Sequence, residues 1–473
     1  MKFKPHPLMI FDSIMPFMWI LIIPFLKAVI QYLKYGKIDD ILGFETALLI
    51  AIISFTIIRF NTIRIIFEDG KIVIKKGLIF VSRSEISRKK LSSVQTEQNP
   101  LDYIFGAVTY RINTEAGLRH RSDFKFKLSR KNSEQLSNLL YGGEKLQKIP
   151  FSALKVALMA ITTSSAVTGL LVGVPIINNA GRLLGVGFYE LFNELNKTTN
   201  GVKTYFPPVV NTITLILIIA YGISFLYSFI KYINFKLYLN DKLLKVRSGF
   251  FVKRITVFKK KAINNVKIEQ TPLMFLFRRF AMEVNVGGFA VSKNAHQIIV
   301  PSGTAKEIKS QFADYFPFLK PEGKNISAKK RALVRNRFMF WPLFFFIITV
   351  GLSITAVIFF QEFTRFIFFL TVIALCVVFY YAFICDYEYR NGKISLGENI
   401  YAHSVKGFRT CRIYCPKEKV GEIKVIQFGF DKLYNSCRVK IGVCSESADT
   451  LYVRHLDIDE VIEEINNTFE TNV

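Results

Sequence analysis

Six long apolar runs punctuate the chain, at residues 8–26, 41–58, 151–177, 207–230, 338–360 and 366–385. Each approaches the ~20 consecutive apolar residues that an α-helix needs to cross a bilayer core, so the pattern predicts six membrane-spanning helices. The runs fall in pairs, and behind each pair lies a polar segment of roughly 90 to 105 residues, the size of a small domain. The expected organisation is three transmembrane hairpins (1–60, 151–233 and 338–385), each followed by one domain (61–150, 234–320 and 386–473). No small-residue cleavage pattern follows the first run, and a second apolar run comes soon after it, so the first is expected to persist rather than to be removed as a signal peptide.

Within the polar segments the period changes from helical to two. "KIVIKKGLIFVSRSEI" and "KLLKVRSGFFVKRITVF" each read as two alternating runs about a glycine turn, at Gly77 and Gly249, which predicts a β-hairpin. Further strands are expected at "AVTYRINTEA", "DFKFKLS", "AMEVNVGGFA" and "HQIIVP". A helix should close each segment. The clearest is "DIDEVIEEINNTF", with Asp457 and Glu460 as a capping pair and Ile458, Val461, Ile462, Ile465 and Phe469 on one face. Thr304 and Glu307 open the corresponding helix of the second segment, with Ile308 and Phe312 on its apolar face. Leu136, Leu139 and Leu140 serve the first.

The first two segments are copies. Asp69 aligns with Asp241, Gly77 with Gly249, Lys89 with Lys261 and Asn113 with Asn285, all without a gap, and "VQTEQNPL" from Val94 aligns with "VKIEQTPL" from Val266. The third segment keeps the pattern faintly: Gln427 stands where Gln98 does, and Gly429 replaces Pro100. Short antiparallel strands with one closing helix describe a pleckstrin-homology-like, partly open barrel, making the chain an α+β integral membrane protein. Paired spans running into a strand-rich domain marked by Val94, Gln98, Pro100 and Leu101, and again by Val266, Gln270, Pro272 and Leu273, resemble the bacterial membrane-flanked PH-like domain family of the YdbS and YdbT type. Three such units in tandem resemble its longer member. Residue by residue, Pro100 and Pro272 are expected to fix a turn after a strand, with Gln98 and Gln270 satisfying local backbone groups.

Charge adds orientation and a candidate surface. Residues 59–150 carry 18 basic and 9 acidic residues, a balance of +9, and residues 231–337 carry 23 and 6, a balance of +17, whereas the hairpin loops are close to neutral. By the positive-inside tendency both termini and all three domains are expected in the cytoplasm, with the protein a multi-pass component of the cell membrane. "SRKKL" and "FKKKAI" align across the repeat, placing Arg88, Lys89, Lys90 and Lys259, Lys260, Lys261 at equivalent points. Held near an anionic leaflet, each such cation adds ~1 kcal/mol, which makes anionic lipid headgroups the expected ligand; a solvated, merely topogenic face is the alternative. The third segment, with 12 basic and 14 acidic residues (−2), is expected to meet a protein instead.

No reaction chemistry is legible. The five histidines are scattered along the chain, no HExxH, GxSxG or phosphate-cradling glycine pattern occurs, and the spans place no ionisable residue at mid-run. No cofactor, metal or nucleic-acid partner is expected, and the six cysteines, all after residue 375, are expected to be reduced thiols on strands. Ser165, Gly169 and Gly173 form a small-residue stripe suited to close helix packing, within the bundle or between copies. In the outer loop 178–206, Leu184, Phe188, Leu191, Phe192 and Leu195 form an apolar stripe expected to lie in the interface. The whole reads as a non-enzymatic membrane scaffold that binds anionic lipid, a smaller membrane protein of the same family, or itself. Transport, export or protection against membrane-active peptides is the alternative.

Overall fold

The computed structural model describes residues 1–15, 32, 41–77, 81–114, 124–141, 146–165, 168–171, 173, 190, 193, 208–286, 296–327, 332–433, 435–443 and 450–469. Most of the first apolar run, nearly all of the loop 178–206 and Cys444 lie outside them. The strands in chain order are β1 Lys2–Phe3, β2 Arg64–Glu68, β3 Lys71–Lys76, β4 Ser82–Ser87, β5 Leu91–Gln98, β6 Ala107–Thr114 and β7 Phe124–Ser129 in the first repeat. In the second they are β8 Gln147–Pro150, β9 Lys236–Leu239, β10 Leu243–Ser248, β11 Lys253–Lys259, β12 Ile263–Gln270, β13 Phe280–Val286 and β14 His296–Gly303. The third has β15 Asn325–Ser327, β16 Lys393–Ser395, β17 Asn399–Lys406, β18 Arg409–Pro416, β19 Val420–Ile426, β20 Ser436–Val443 and β21 Thr450–Asp457. The helices are α1 Ile41–Thr62, α2 Pro100–Ile104, α3 Arg130–Tyr141, α4 Ala153–Thr163, α5 Pro208–Tyr232, α6 Pro272–Leu276, α7 Ala305–Phe312, α8 Ala332–Phe359, α9 Thr364–Asn391, α10 Gly429–Leu433 and α11 Ile458–Phe469.

Each repeat opens with a short strand that precedes its apolar segment. Phe3 pairs with Ile65, β8 lies beside β9, and Ile326 pairs with Ile394. The apolar segment is therefore inserted between the first and second strands of a sheet, which ties both of its ends to the same β structure.

The strands form four antiparallel sheets, ordered β1-β2-β3-β4, β7-β6-β5-β11-β10-β9-β8, β14-β13-β12-β18-β17-β16-β15 and β19-β20-β21. This corrects the expected barrel: the sheets are open, and each seven-stranded sheet joins strands of two successive repeats. The physical reason is the edge of β5. Its partner β6 satisfies one side only, and an unpaired row of backbone donors and acceptors is a template for another strand. β11 takes that place, as β18 does beside β12.

Two compact units contain these sheets. The first comprises Met1–Ile149, Lys236–Ala262 and Val286–Ala295. Its core gathers Ile65, Ile72, Ile74 and Ile86 from β2 to β4, Val94, Tyr110, Ile112, Phe126 and Leu128 from β5 to β7, and Leu136 and Leu140 from α3. Tyr110 is fully buried, and its hydroxyl reaches Ser133 and Ser137 on α3, so the one polar atom of the ring is satisfied while the ring stacks on Phe126. The second unit comprises Pro150–Phe235, Ile263–Asn285 and His296–Val473. One of its cores holds Ile326, Ile394, Ile400, Cys415, Cys437, Val439, Ile441 and Val453, covered by Val461, Ile458, Ile465 and Phe469 of α11. Ile462, expected on that face, is instead exposed.

Among the described residues three helical segments are long and apolar enough to cross a membrane: Thr214–Tyr232, Phe338–Phe359 and Gln361–Asn391. They correspond to the fourth, fifth and sixth of the expected spans, and most of the first lies outside the described residues. Ile50–Thr62 and Ala153–Thr163 are apolar but short. The third run breaks at Thr162–Thr163–Ser164–Ser165, where the hydroxyls of Thr162 and Thr163 bond back to the Met159 carbonyl and that of Ser164 to the Ala160 carbonyl, and Ser164 turns extended. α5 repairs the break: Ser224 Oγ accepts from the Ser165 amide (3.2 Å), and the Tyr221 hydroxyl donates to the Ile161 carbonyl (2.6 Å). Beyond it Gly169 lies so close to α5 that a Cβ there would overlap the Ala220 carbonyl, and Gly173 faces Ile223. These two glycines and Ser165 thus pack against one helix of their own chain.

Candidate functional site: the junction between repeats

The repeated motif builds a corner. At the end of β5 the Gln98 side-chain amide donates to the Ala107 carbonyl (3.1 Å), closing the segment that carries α2. Gln270 does the same to the Arg279 carbonyl (2.8 Å) and Gln427 to the Ser436 carbonyl (3.0 Å). Pro100 and Pro272 occupy the first turn of α2 and α6, where a missing N–H costs nothing and a fixed φ helps. Gly429 opens α10 at the same place without proline, and the Asp431 carboxylate accepts from the Phe428 amide (3.1 Å) as Asp102 accepts from the Asn99 amide (3.4 Å). Val94 and Val266 are buried beneath the strands.

This corner fixes the strand onto which the next repeat pairs. In the first junction Lys253 opposes Gln98, Ile255 opposes Thr96 and Val257 opposes Val94. In the second Thr410 opposes Gln270, Arg412 opposes Ile268 and Tyr414 opposes Val266. Val257 and Tyr414 each stand three residues before a 3-10 turn (Lys260–Ala262 and Lys417–Lys419), so the register is the same at both.

Antiparallel pairing brings the end of β11 beside the start of β5, and with it the two cationic clusters. Arg88, Lys89 and Lys90 form an exposed 3-10 turn before β5; Lys260 and Lys261 form the one after β11. Lys259 joins them: its ammonium donates to the Arg88 carbonyl and to the Lys89 carbonyl (3.0 Å). Of the six cations singled out from the sequence, Lys259 therefore locks one turn to the other, and the remaining five surround one end of a single sheet.

On the face of the same sheet lies a groove of about 740 Å³ between α3 and the β10–β11 hairpin. Lys245, Arg247 and Lys253 line the hairpin side; Arg130, Glu134, Ser137 and Asn138 line the helix side. Burial, with Arg247 beside it, lowers the Lys245 pKa from its ordinary value. Glu97 at the floor is neutralised by Arg111 (2.8 Å) and Arg254 (3.0 Å), and Lys253 sits 4.4 Å above the Tyr103 ring. A smaller groove of about 370 Å³ occupies the equivalent place in the second junction, between α7 and β18, lined by Ile308, Lys309, Phe280, Arg412 and Tyr414. Both grooves exist because a foreign hairpin extends the sheet past the helix that closes the repeat.

The cationic groove residues Lys245, Arg247 and Lys253 were not singled out from the sequence. The signal was present in "LLKVRS": Leu244 and Val246 are buried, while Leu243, Lys245 and Arg247 share the other face, a strand whose second face is cationic and lines a cavity. The buried cysteines Cys411, Cys415 and Cys437 sit on β18 and β20, and the Cys415 thiol donates to the Asn264 carbonyl (3.3 Å).

A family model described as "Bacterial PH domain" matches residues 15–143 and again 183–315, more than half of the chain. The chain belongs to the bacterial PH domain family. The two matched copies take in apolar sequence as well as the strand-rich segments, in keeping with an apolar insertion inside each PH unit. No curated protein and no solved structure matches the chain.

Proposed function

We propose that this bacterial PH protein is a non-enzymatic membrane scaffold, anchored by three apolar hairpins with its PH-like repeats in the cytoplasm, and that the composite cationic end of its first seven-stranded sheet engages anionic lipid headgroups. The observation that supports this is the joining of Arg88, Lys89, Lys90, Lys260 and Lys261 around one sheet end by the Lys259 bridge. Five cations at ~1 kcal/mol each near an anionic surface suffice to orient a tethered domain on it.

The test is native mass spectrometry of the full-length protein from mixed phosphatidylglycerol and phosphatidylcholine micelles. Retained phosphatidylglycerol that is lost when Arg88, Lys89, Lys260 and Lys261 are replaced by glutamate supports the reading. Equal retention by the wild type and the variant sinks it.

A further inference from the structure

The two junctions leave one strand edge of the first repeat and one of the third without a paired strand among the described residues. β5 and β12 each carry a following hairpin strand on their outer edge, but β19, the equivalent strand of the third repeat, ends its sheet. Conversely β11 and β18 each lie on a preceding repeat, but β4, their equivalent in the first repeat, ends its sheet. Among the described residues, neither outer edge is paired with a strand.

Exposure records the difference. Ser93 of β5 and Asn265 of β12 are buried, whereas Glu422, at the same place in β19, has a side chain 57% exposed. Val257 of β11 is buried, whereas Glu85, at the same place in β4, is 38% exposed. Charge on β19 does not by itself forbid pairing: β12 carries Lys267 and Glu269, which form an ion pair (2.7 Å) within the completed second junction. One feature is not reproduced, since Ile426 stands where Glu97 and Glu269 do, so the third edge lacks their arginine-paired carboxylate.

We propose that β19 of one copy receives β4 of a second copy of this chain, in the register of the two internal junctions. That register opposes Glu85 with Ile423, as Val257 opposes Val94 and Tyr414 opposes Val266, and so opposes Ser84 with Lys424 and Arg83 with Val425. The edges are unlike, so the contact is head-to-tail; it builds a ring if the rotation closes and a filament if it does not. The inference names the partner left open by the scaffold reading and rests on that reading only for the need of one; it stands or falls independently of lipid binding.

The experiment co-expresses two differently tagged full-length copies lacking Cys376 and Cys444, one with Ser84→Cys and the other with Lys424→Cys, and treats the purified protein with a short thiol-to-thiol linker. The expected product is a dimer carrying both tags, absent when either variant is expressed alone and much weaker when Gly421→Cys replaces Lys424→Cys. Arg83→Cys with Val425→Cys, on the other face of the strands, should reproduce it, and light scattering of the wild type should give a mass above one chain. A single-chain mass with no mixed-tag product overturns the proposal. So does a link that forms only within one chain carrying both cysteines, or one that is indifferent to register.

Discussion

At the scale of single residues, the repeated glutamine is a backbone surrogate. Gln270 is 5% exposed, and its amide closes the corner by donating to the Arg279 carbonyl. Gln270→Leu should cost about 1–3 kcal/mol, the penalty for a carbonyl left without a donor, measured as a lower denaturation midpoint. That role was legible, because the pattern is local and occurs in all three repeats. An ion pair of the first repeat was not: Asp102 and Lys127 lie 25 positions apart yet meet at 2.8 Å with both side chains buried, and Asp12 approaches the same ammonium at 3.0 Å. Lys127→Met leaves the Asp102 carboxylate buried and uncompensated, so a loss of about 3–5 kcal/mol is expected, largely relieved in the Asp102→Asn, Lys127→Met double variant. His403 carries a pH dependence. Burial, aided by Arg412 and Lys393, lowers its pKa to about 4, so the fold favours the neutral ring. The stability this contributes is complete above the unfolded value of ~6.5 and is lost as pH falls from there through about 4. Unfolding midpoints of wild type and His403→Gln should therefore diverge in slope between those pH values, the variant showing the flatter profile.

At the scale of elements, strands and closing helices follow from alternation and capping. Thr304 and Glu307 make the reciprocal pair expected of them: the Thr304 amide donates to the Glu307 carboxylate (3.1 Å), and the Glu307 amide donates to the Thr304 hydroxyl (3.3 Å). Hydropathy was less faithful. A run of 27 apolar-rich residues at 151–177 reads as one span, but four successive hydroxyl residues compete with the helix for its own carbonyls and end it at Thr163. The contact beyond the break is sterically tight, so Gly169→Leu should separate that segment from α5. The expected readout is a lowered midpoint of thermal aggregation in detergent, with Gly351→Leu, which meets no neighbour within 4 Å, close to wild type.

At the scale of the whole molecule, the order of repeats was legible and their connection was not. Period-two alternation says that a strand has two faces, and nothing in it says whose edge the strand will meet. A clue lay in composition: β5 and β12 bury Ser92, Ser93, Gln95, Asn264 and Asn265, polar residues that suit a strand hydrogen-bonded on both edges better than an outer one. Pairing of β11 with β5 brings two modest cationic turns together at one sheet end, the surface proposed to meet lipid. The most direct test places an environment-sensitive fluorophore at Lys90→Cys, in a full-length background lacking Cys376 and Cys444, reconstituted into vesicles that carry a headgroup-linked quencher. The account predicts strong quenching in phosphatidylglycerol vesicles, weak quenching in phosphatidylcholine vesicles, and relief of the former by salt, because exposed charges are screened beyond ~10 Å at 0.1 M ionic strength. Quenching that is the same in both lipids, or unaffected by salt, would contradict it.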